Sequence, residues 1–199
     1  MKEHVVRAIY SDRTIRVYQA YAPEIAKPAL RAGRFVPPFA MSRMTWIKPS
    51  FNWMMYRSGH ATKPGQEVVL GIDITREGFE WALEHAVLSN FTPWIHSSRE
   101  EWRTLLDNSP VRVQWDPERD CCMNLVEGVR AIQIGLSGDA VTRYVNQWIV
   151  HIEDMSAVVS RLNAELKRCV TPANSPHEEE KAYPLSSGIR LRLCRQPDL

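Results

Sequence analysis

The sequence predicts an α+β fold with a mixed, largely antiparallel sheet of about six or more strands and flanking helices. Segments in which apolar residues alternate, as in strands, interleave with segments of helical periodicity along the whole chain. The chain has 199 residues, 44% hydrophobic and 24% charged, which is ordinary for one globular domain. We therefore expect a single α+β domain over residues 1–170.

The first half of the chain alternates strands and helices. Pro23 and Gly33 mark the start and stop of one helix, and Pro49 and Gly59 mark those of another, as prolines and glycines at helix ends commonly do. The predicted elements are a strand at 14–20, a helix at 23–32, a strand at 43–47, a helix between 49 and 59, a strand at 67–74 and a helix at 78–88.

The second half continues the alternation. Ser98 and Glu101 form a capping-box pattern for a helix through Leu106, and Ser137 and Asp154 are predicted to cap two later helices. The strands are predicted at 111–115, 131–136 and 148–153, with a charged loop at 116–120 and helices through residues 145 and 166.

The composition changes near the C-terminus. Residues 171–188 are rich in Pro, Ser and Glu, which predicts a flexible connector. Residues 189–195 alternate apolar and basic side chains, so we expect an edge strand, with a basic tail as the alternative. The chain from about residue 172 onward is accordingly predicted to be dispensable for folding.

Composition excludes several classes of protein. The net charge is only +2, which gives no electrostatic indication of a dedicated nucleic-acid binder. No apolar run approaches the ~20 residues that cross a bilayer, and no secretory signal is present, so we expect a cytoplasmic protein without a membrane partner. The four cysteines have no zinc-site spacing and are expected to be free thiols, with no metal bound; they are Cys121, Cys122, Cys169 and Cys194.

One segment, residues 43–59, concentrates aromatic and cationic side chains. Common phosphate-loop, dinucleotide and hydrolase motifs are absent from the sequence, whereas this segment holds Trp46, Lys48, Phe51, Trp53, Tyr56 and Arg57. Ser50, Trp53 and Arg57 share one helix face, and the Arg57 guanidinium can stack on the Trp53 indole. A structural Trp–Arg pair and a ligand-binding face both account for this pattern.

The late strands present a second polar pattern. Where their apolar residues face a core, the opposite faces carry glutamine, histidine and acidic side chains around a glycine: Arg112, Gln114, Asp116, Gln133, Gly135, His151 and Glu153. This set is consistent with the floor of a polar cleft or with an exposed sheet face.

Several stretches are similar to a known family. The runs Ile15–Tyr21 (IRVYQAY), Met44–Gly59 (MTWIKPSFNWMMYRSG), Gln114–Arg119 (QWDPER), Ile132–Leu136 (IQIGL) and Trp148–Asp154 (WIVHIED) resemble the microbial and fungal domain-of-unknown-function family 4291, over roughly residues 5–165. That resemblance implies a single domain.

A more remote resemblance is to the opening half of ADP-ribosyltransferase domains. It implies an enzyme that uses NAD or another nucleotide and acts on nucleic acid or protein. The catalytic residues would be Gln19, where those enzymes carry His or Arg, Tyr56 and Glu153. The residues that would bind the cofactor are Arg16, Trp46, Lys48, Ser50, Trp53, Arg57 and Gln133. Trp46 and Trp53 would stack on a base or nicotinamide ring, and Lys48 and Arg57 would bind phosphate. The alternative is a non-catalytic nucleotide or nucleic-acid binding module that uses the same surface.

Overall fold

The computed structural model describes residues 3–168 and 173–194. Within these residues the strands are β1 (Glu3–His4), β2 (Arg7–Ala8), β3 (Thr14–Tyr21), β4 (Thr45–Ile47), β5 (Val68–Thr75), β6 (Ala86–Leu88), β7 (Val111–Arg119), β8 (Leu125–Leu136), β9 (Ile149–Asp154) and β10 (Lys181–Ala182). The helices are α1 (Pro23–Ala32), α2 (Phe51–Ser58), α3 (Arg76–Glu84), α4 (Arg99–Asn108), α5 (Asp139–Arg143), α6 (Ser156–Lys167), α7 (Pro176–Glu179) and α8 (Ser187–Leu193), with a π-helical turn at Tyr144–Trp148.

The strands form mixed sheets, which confirms the predicted α+β class. A five-stranded sheet has the order β1-β8-β7-β6, with β4 also paired to β8. A three-stranded antiparallel sheet has the order β3-β5-β9, and β2 pairs with β10. Most pairings are antiparallel, and the pairs β1–β8 and β6–β7 are parallel.

The two larger sheets meet at one point of the backbone. The Tyr18 amide donates to the Lys48 carbonyl at 2.7 Å, and the Lys48 amide donates to the Tyr18 carbonyl at 3.2 Å. This bridge joins β3 to the residue that follows β4. Lys48 therefore lies where the two sheets are joined, immediately before the N-terminus of α2.

The apolar side chains form two clusters on opposite sides of the three-stranded sheet. The larger cluster includes Ile15, Val17, Ile72, Ile74 and Ile134. The smaller one lies under α2 and α6 and consists of Tyr18, Phe51, Met54, Met55, Val69, Met155, Val159 and Leu162. Because side chains alternate along a strand, neighbouring residues of β3 enter different clusters.

Most element boundaries follow the prediction, and two differ for identifiable reasons. The helix predicted at 78–88 ends at Glu84, and β6 follows it because Ala86 and Leu88 are buried and the strand pairs with β7. The loop predicted at 116–120 is largely strand, since β7 and β8 extend as a long hairpin.

The predicted helix caps are partly confirmed. The Ser98 side chain accepts from the Glu101 amide at 3.0 Å, as expected. Ser137 does not cap α5, because the N-cap residue of this helix is Gly138. The Ser137 hydroxyl donates to the Pro110 carbonyl instead. Within the described ranges, no helix has the length and apolar character needed to span a membrane.

The edge strand predicted at 189–195 is wrong, and the preceding connector contains ordered contacts. Residues 187–193 form α8, on which Ile189 and Leu193 are buried; residue 195 lies outside the described residues. An alternation of period two also places positions i and i+4 on one helix face, so the pattern fits both structures. Upstream, the buried Glu180 carboxylate accepts from the Phe51 amide at 2.7 Å, which ties the C-terminal segment to α2.

Candidate functional site

A polar cleft of about 520 Å³ opens beside the junction of the two sheets. Its volume lies within the range of about 300–1,000 Å³ that is usual for ligand pockets. The elements that form it are β3, β4, the first residues after β4, α2, β7 and β8. Its wall consists of Gln19, Ala20, Tyr21, Arg43, Met44, Thr45, Trp46, Lys48, Met54, Arg57, Gln66, Gln114 and Gln133.

The charge of this wall is unbalanced. It contains three cationic side chains, Arg43, Lys48 and Arg57, together with four glutamines. Among the described residues that line the cleft, none is a carboxylate. Arg57 is exposed, and within the described part of the chain its guanidinium makes one long hydrogen bond, to Gln66 Oε1 at 3.4 Å. A concave surface with several cations and no acid favours an anionic ligand.

Lys48 is the most unusual member of the wall. It is 6% exposed, and its amine lies 3.4 Å from the Trp46 carbonyl oxygen and 5.3 Å from the centre of the Trp53 ring. Burial, and then repulsion by Arg57, lowers the pKa of Lys48 from 10.5 to about 7, while attraction by Asp116 partly offsets both effects. The amine is therefore poised between its charged and neutral forms near neutral pH.

Asp116 is not part of the cleft wall, but two glutamines of the wall hold its carboxylate. Gln114 donates to one carboxylate oxygen at 3.0 Å, and Gln133 donates to the other at 2.6 Å. Burial raises the pKa of Asp116, and these two hydrogen bonds oppose that rise. Residues 114, 116 and 133 alternate to the same side of paired strands, so the sheet face that the sequence singled out does contribute to the cleft.

Gln19 is held by a network of hydrogen bonds. Its amide nitrogen contacts the Thr45 hydroxyl at 2.6 Å, the Tyr21 hydroxyl at 3.0 Å and the Trp46 carbonyl at 3.1 Å. Its amide oxygen accepts from the buried Tyr144 hydroxyl at 2.7 Å. The side chain therefore links β3, β4 and the π-helical turn, and its hydrogen-bonding capacity is largely used within the protein.

Trp46 reaches the cleft because its cross-strand neighbour is a glycine. Trp46 on β4 is paired with Gly135 on β8. A Cβ at position 135 would lie 2.9 Å from Cζ2 of the Trp46 ring and 2.9 Å from Met44 Sδ. The glycine thus allows the indole to lie against the β8 backbone.

A second, more apolar cavity of about 340 Å³ adjoins the polar cleft. The two share five wall residues, including Arg43 and Met44, so they form one continuous depression. The side chains that the second cavity adds include Ile25, Pro38 and Phe39. The combined site has a cationic part and an apolar part, with Arg43 where they meet.

The residues of α2 do not form the single ligand face that their spacing suggested. Ser50 caps the helix by accepting from the Trp53 amide at 3.2 Å, and it donates to the buried Glu118 carboxylate at 3.0 Å. Trp53 is 6% exposed, and the cation over its ring is Lys48 rather than Arg57. Tyr56 is 45% exposed but lies outside the cleft wall, with the Arg119 guanidinium 3.9 Å from its ring centre.

Glu153 and Arg16 lie elsewhere. Arg16 forms ion pairs with Asp73 at 2.7 Å and with Glu153 at 2.6 Å. Glu153 is aligned with Gly71 and Tyr18 across the sheet, whereas Gln19 is aligned with Leu70. Because adjacent positions alternate in direction, Gln19 and Glu153 project from opposite faces of the sheet. The structure therefore does not bring together Gln19, Tyr56 and Glu153.

The cleft thus gathers six of the residues that the sequence proposed for a site: Gln19, Trp46, Lys48, Arg57, Gln114 and Gln133. Sequence reasoning missed Arg43 and Gln66. Arg43 begins the aromatic–cationic segment, and counting cations there would have included it, whereas no sequence signal distinguishes Gln66. In residues 3–168 and 173–194, no group of three or more His, Cys, Asp or Glu side chains is arranged to hold a metal ion.

Comparison with known proteins places the chain in a family. No curated protein matches it. The family described as Domain of unknown function (DUF4291) matches residues 5–183, which extends beyond the stretches that suggested it and includes Glu180. Since this match covers most of the 199 residues, the protein belongs to the DUF4291 family.

Proposed function

We propose that the cleft binds a nucleotide, and that NAD is the nucleotide its shape and charge favour. The observation that carries the proposal is a wall with Arg43, Lys48 and Arg57 and no carboxylate among its described residues. Arginine is well suited to phosphate because its planar fork donates two parallel hydrogen bonds. The pyrophosphate would contact Arg43 and Arg57, with Lys48 contributing when it is protonated.

The two-part shape of the site supports a ligand with rings at both ends. The Trp46 indole lines the polar cleft, and the adjoining cavity is lined by Phe39, Pro38 and Ile25. A dinucleotide carries two ring systems joined by a pyrophosphate, which matches aromatic or apolar surfaces on either side of Arg43. NAD in particular is the dinucleotide that the resemblance to ADP-ribosyltransferases implies.

Thermal shift and calorimetric titration with NAD, ADP-ribose, ADP and pyrophosphate test the proposal. We expect NAD to stabilise the protein more than pyrophosphate does, because binding to the folded state raises its stability. Arg57→Gln should lower the affinity at least tenfold while changing the ligand-free melting temperature little, since the side chain makes one long contact. Arg103→Gln, on the exposed face of α4, is the matched control. A wild-type protein that responds to none of these ligands contradicts the proposal.

The pH dependence of binding gives a second measurement. An anion favours the charged form of Lys48, whose pKa is about 7 in the free protein, so binding should be accompanied by proton uptake above pH 7. We expect NAD affinity to fall about tenfold between pH 6.5 and 8.5. Lys48→Met should remove this dependence, and an unchanged dependence in the variant would assign it to another group.

Nicotinamide release separates the two functional classes. A transferase consumes NAD and releases nicotinamide, whereas a binding module leaves NAD intact. Binding to nucleic acid would weaken log-linearly with salt because counterions are released. A dinucleotide cleft with two or three cationic contacts should show a much smaller salt dependence, because fewer counterions are released.

A further inference from the structure

The amine of Lys48 lacks the partner that a buried lysine normally has. Lysines are almost never buried unless they are paired, yet no carboxylate among the described residues lies within ion-pair distance of Lys48 Nζ. Within the described residues, Lys48 Nζ makes one hydrogen-bond contact, to the Trp46 carbonyl oxygen, and its length of 3.4 Å is long for a hydrogen bond. Asp116, whose charge raises the pKa of Lys48, has its carboxylate held by Gln114 and Gln133.

The surroundings of this amine favour its neutral form. Burial disfavours the charged form of Lys48, and Arg57 adds a like charge. With a pKa of about 7, roughly half of the molecules carry an uncharged amine at pH 7, whereas an ordinary lysine near 10.4 is almost entirely protonated. A desolvated lysine beside another cation is the arrangement that activates an amine as a nucleophile.

The same wall can hold an anionic substituent beside the amine. Arg43 and Arg57 are both exposed and both line the cleft with Lys48. A ligand whose phosphate is held by the two arginines would have its remaining atoms near Lys48. This arrangement fits a small carbonyl compound better than it fits a purely structural lysine, because a structural role provides no reason to leave the amine without an acid.

We propose that Lys48 is a nucleophile that forms an imine with phosphate-bearing aldehydes or ketones, the class that includes the open-chain forms of sugar phosphates. The lone pair of Nζ attacks the carbonyl carbon, the carbonyl π electrons move to oxygen, and one of the two amine protons is transferred through solvent to that oxygen, which gives a carbinolamine. The hydroxyl then leaves as water together with the second amine proton, and the nitrogen lone pair forms the carbon–nitrogen double bond. No oxidant or reductant is needed. The imine site would share Arg43, Arg57 and Lys48 with the proposed nucleotide site, but imine formation does not require a nucleotide.

Pyridoxal 5′-phosphate, which carries an aldehyde and a phosphate, is a suitable probe. The protein is incubated with it at pH 7 without nucleotide, the imine is reduced with borohydride to a stable secondary amine, and labelled peptides are identified by mass spectrometry. We expect labelling of Lys48 at least tenfold above that of Lys27 and Lys63, which are exposed and serve as internal references. Pyridoxal, which lacks the phosphate, should label Lys48 much less.

Variants separate the amine from the phosphate contact. Arg57→Gln should reduce the preference for the phosphorylated probe over pyridoxal, and Arg103→Gln should leave it unchanged. Labelling confined to exposed lysines overturns the inference, and equal labelling of Lys48 by both probes overturns the assignment of the substrate class. If the protein binds NAD but Lys48 is not labelled, the nucleotide proposal stands and the imine proposal fails. If Lys48 is labelled selectively but no nucleotide binds, the imine proposal stands and the nucleotide proposal fails.

Discussion

Replacing Lys48 with methionine should stabilise the ligand-free protein, and the gain should depend on pH. Methionine has a similar length and fills the same apolar surroundings beside Trp53, but it carries no charge to desolvate. The substitution removes the long, 3.4 Å hydrogen bond that Lys48 Nζ donates to the Trp46 carbonyl. A ligand site that is not optimised for stability commonly gains when a charged residue is removed from it.

The magnitude follows from the pKa. Burial and Arg57 lower the pKa of Lys48 from 10.5 to about 7, and one pKa unit corresponds to about 1.4 kcal/mol. Above pH 10.5 the amine is neutral in both the folded and the unfolded state, so no charge is desolvated on folding and Lys48 does not lower the free energy of unfolding. As the pH falls from 10.5 to 7, the unfolded chain binds the proton first, so folding loses up to about 5 kcal/mol, and the full cost remains below pH 7.

Denaturant unfolding of the wild type and Lys48→Met at pH 6.5 and 9.5 measures this difference. The variant's advantage in unfolding free energy should be about 3 kcal/mol larger at pH 6.5 than at pH 9.5. Titration of all other groups cancels in the comparison, and Lys27→Met on the exposed face of α1 controls for the loss of a lysine. An advantage that is the same at both pH values would refute the reasoning, because it would mean that Lys48 is charged in the folded protein throughout.

Three further changes have expected outcomes. Gly135→Ala should displace the Trp46 ring, lower stability by about 1–3 kcal/mol and weaken NAD binding; unaltered binding would mean that the indole does not contact the ligand. Glu153→Gln, which loses a half-exposed ion pair with Arg16, should cost at most about 1 kcal/mol and leave NAD binding and nicotinamide release unchanged, whereas abolished release would restore Glu153 as a catalytic residue. A chain ending at Val170 should lose on the order of 5 kcal/mol and aggregate, because it lacks the Glu180 carboxylate that accepts from the α2 N-terminus and the three buried apolar side chains Tyr183, Ile189 and Leu193; a cooperative melt at the wild-type temperature would contradict this.

The outcome expected for this truncation is the opposite of the one that the sequence predicted, and the reason is physical. The segment from residue 171 to 188 has few apolar residues, and its contacts with the body include a buried polar one as well as the Tyr183 ring. Glu180 is buried although it is acidic, since it accepts from the Phe51 amide and lies 3.0 Å from His177. Hydrophobic periodicity does not reveal a buried carboxylate whose partners are far away in the chain.

Local structure and the composition of the site follow from the sequence alone. Proline and glycine placed the ends of α1 and α2, alternation placed β3 and β5, and the density of aromatics and cations singled out residues 43–59. These signals are local, because they depend on the backbone preferences and periodicity of neighbouring residues. They also predicted the α+β class, whereas the family was indicated by the resemblance of particular runs such as Met44–Gly59 and is shown by the match over residues 5–183.

Which of these residues meet depends on long-range pairing of the chain. The backbone bridge between Tyr18 and Lys48 and the hydrogen bond from Tyr144 to Gln19 join positions 30 and 125 residues apart. Which face of a sheet a side chain enters depends on strand pairing, and a shift of one residue reverses it. Gln19 therefore reaches the cleft while Glu153 lies on the opposite face, because strand pairing rather than residue type sets the direction of each side chain.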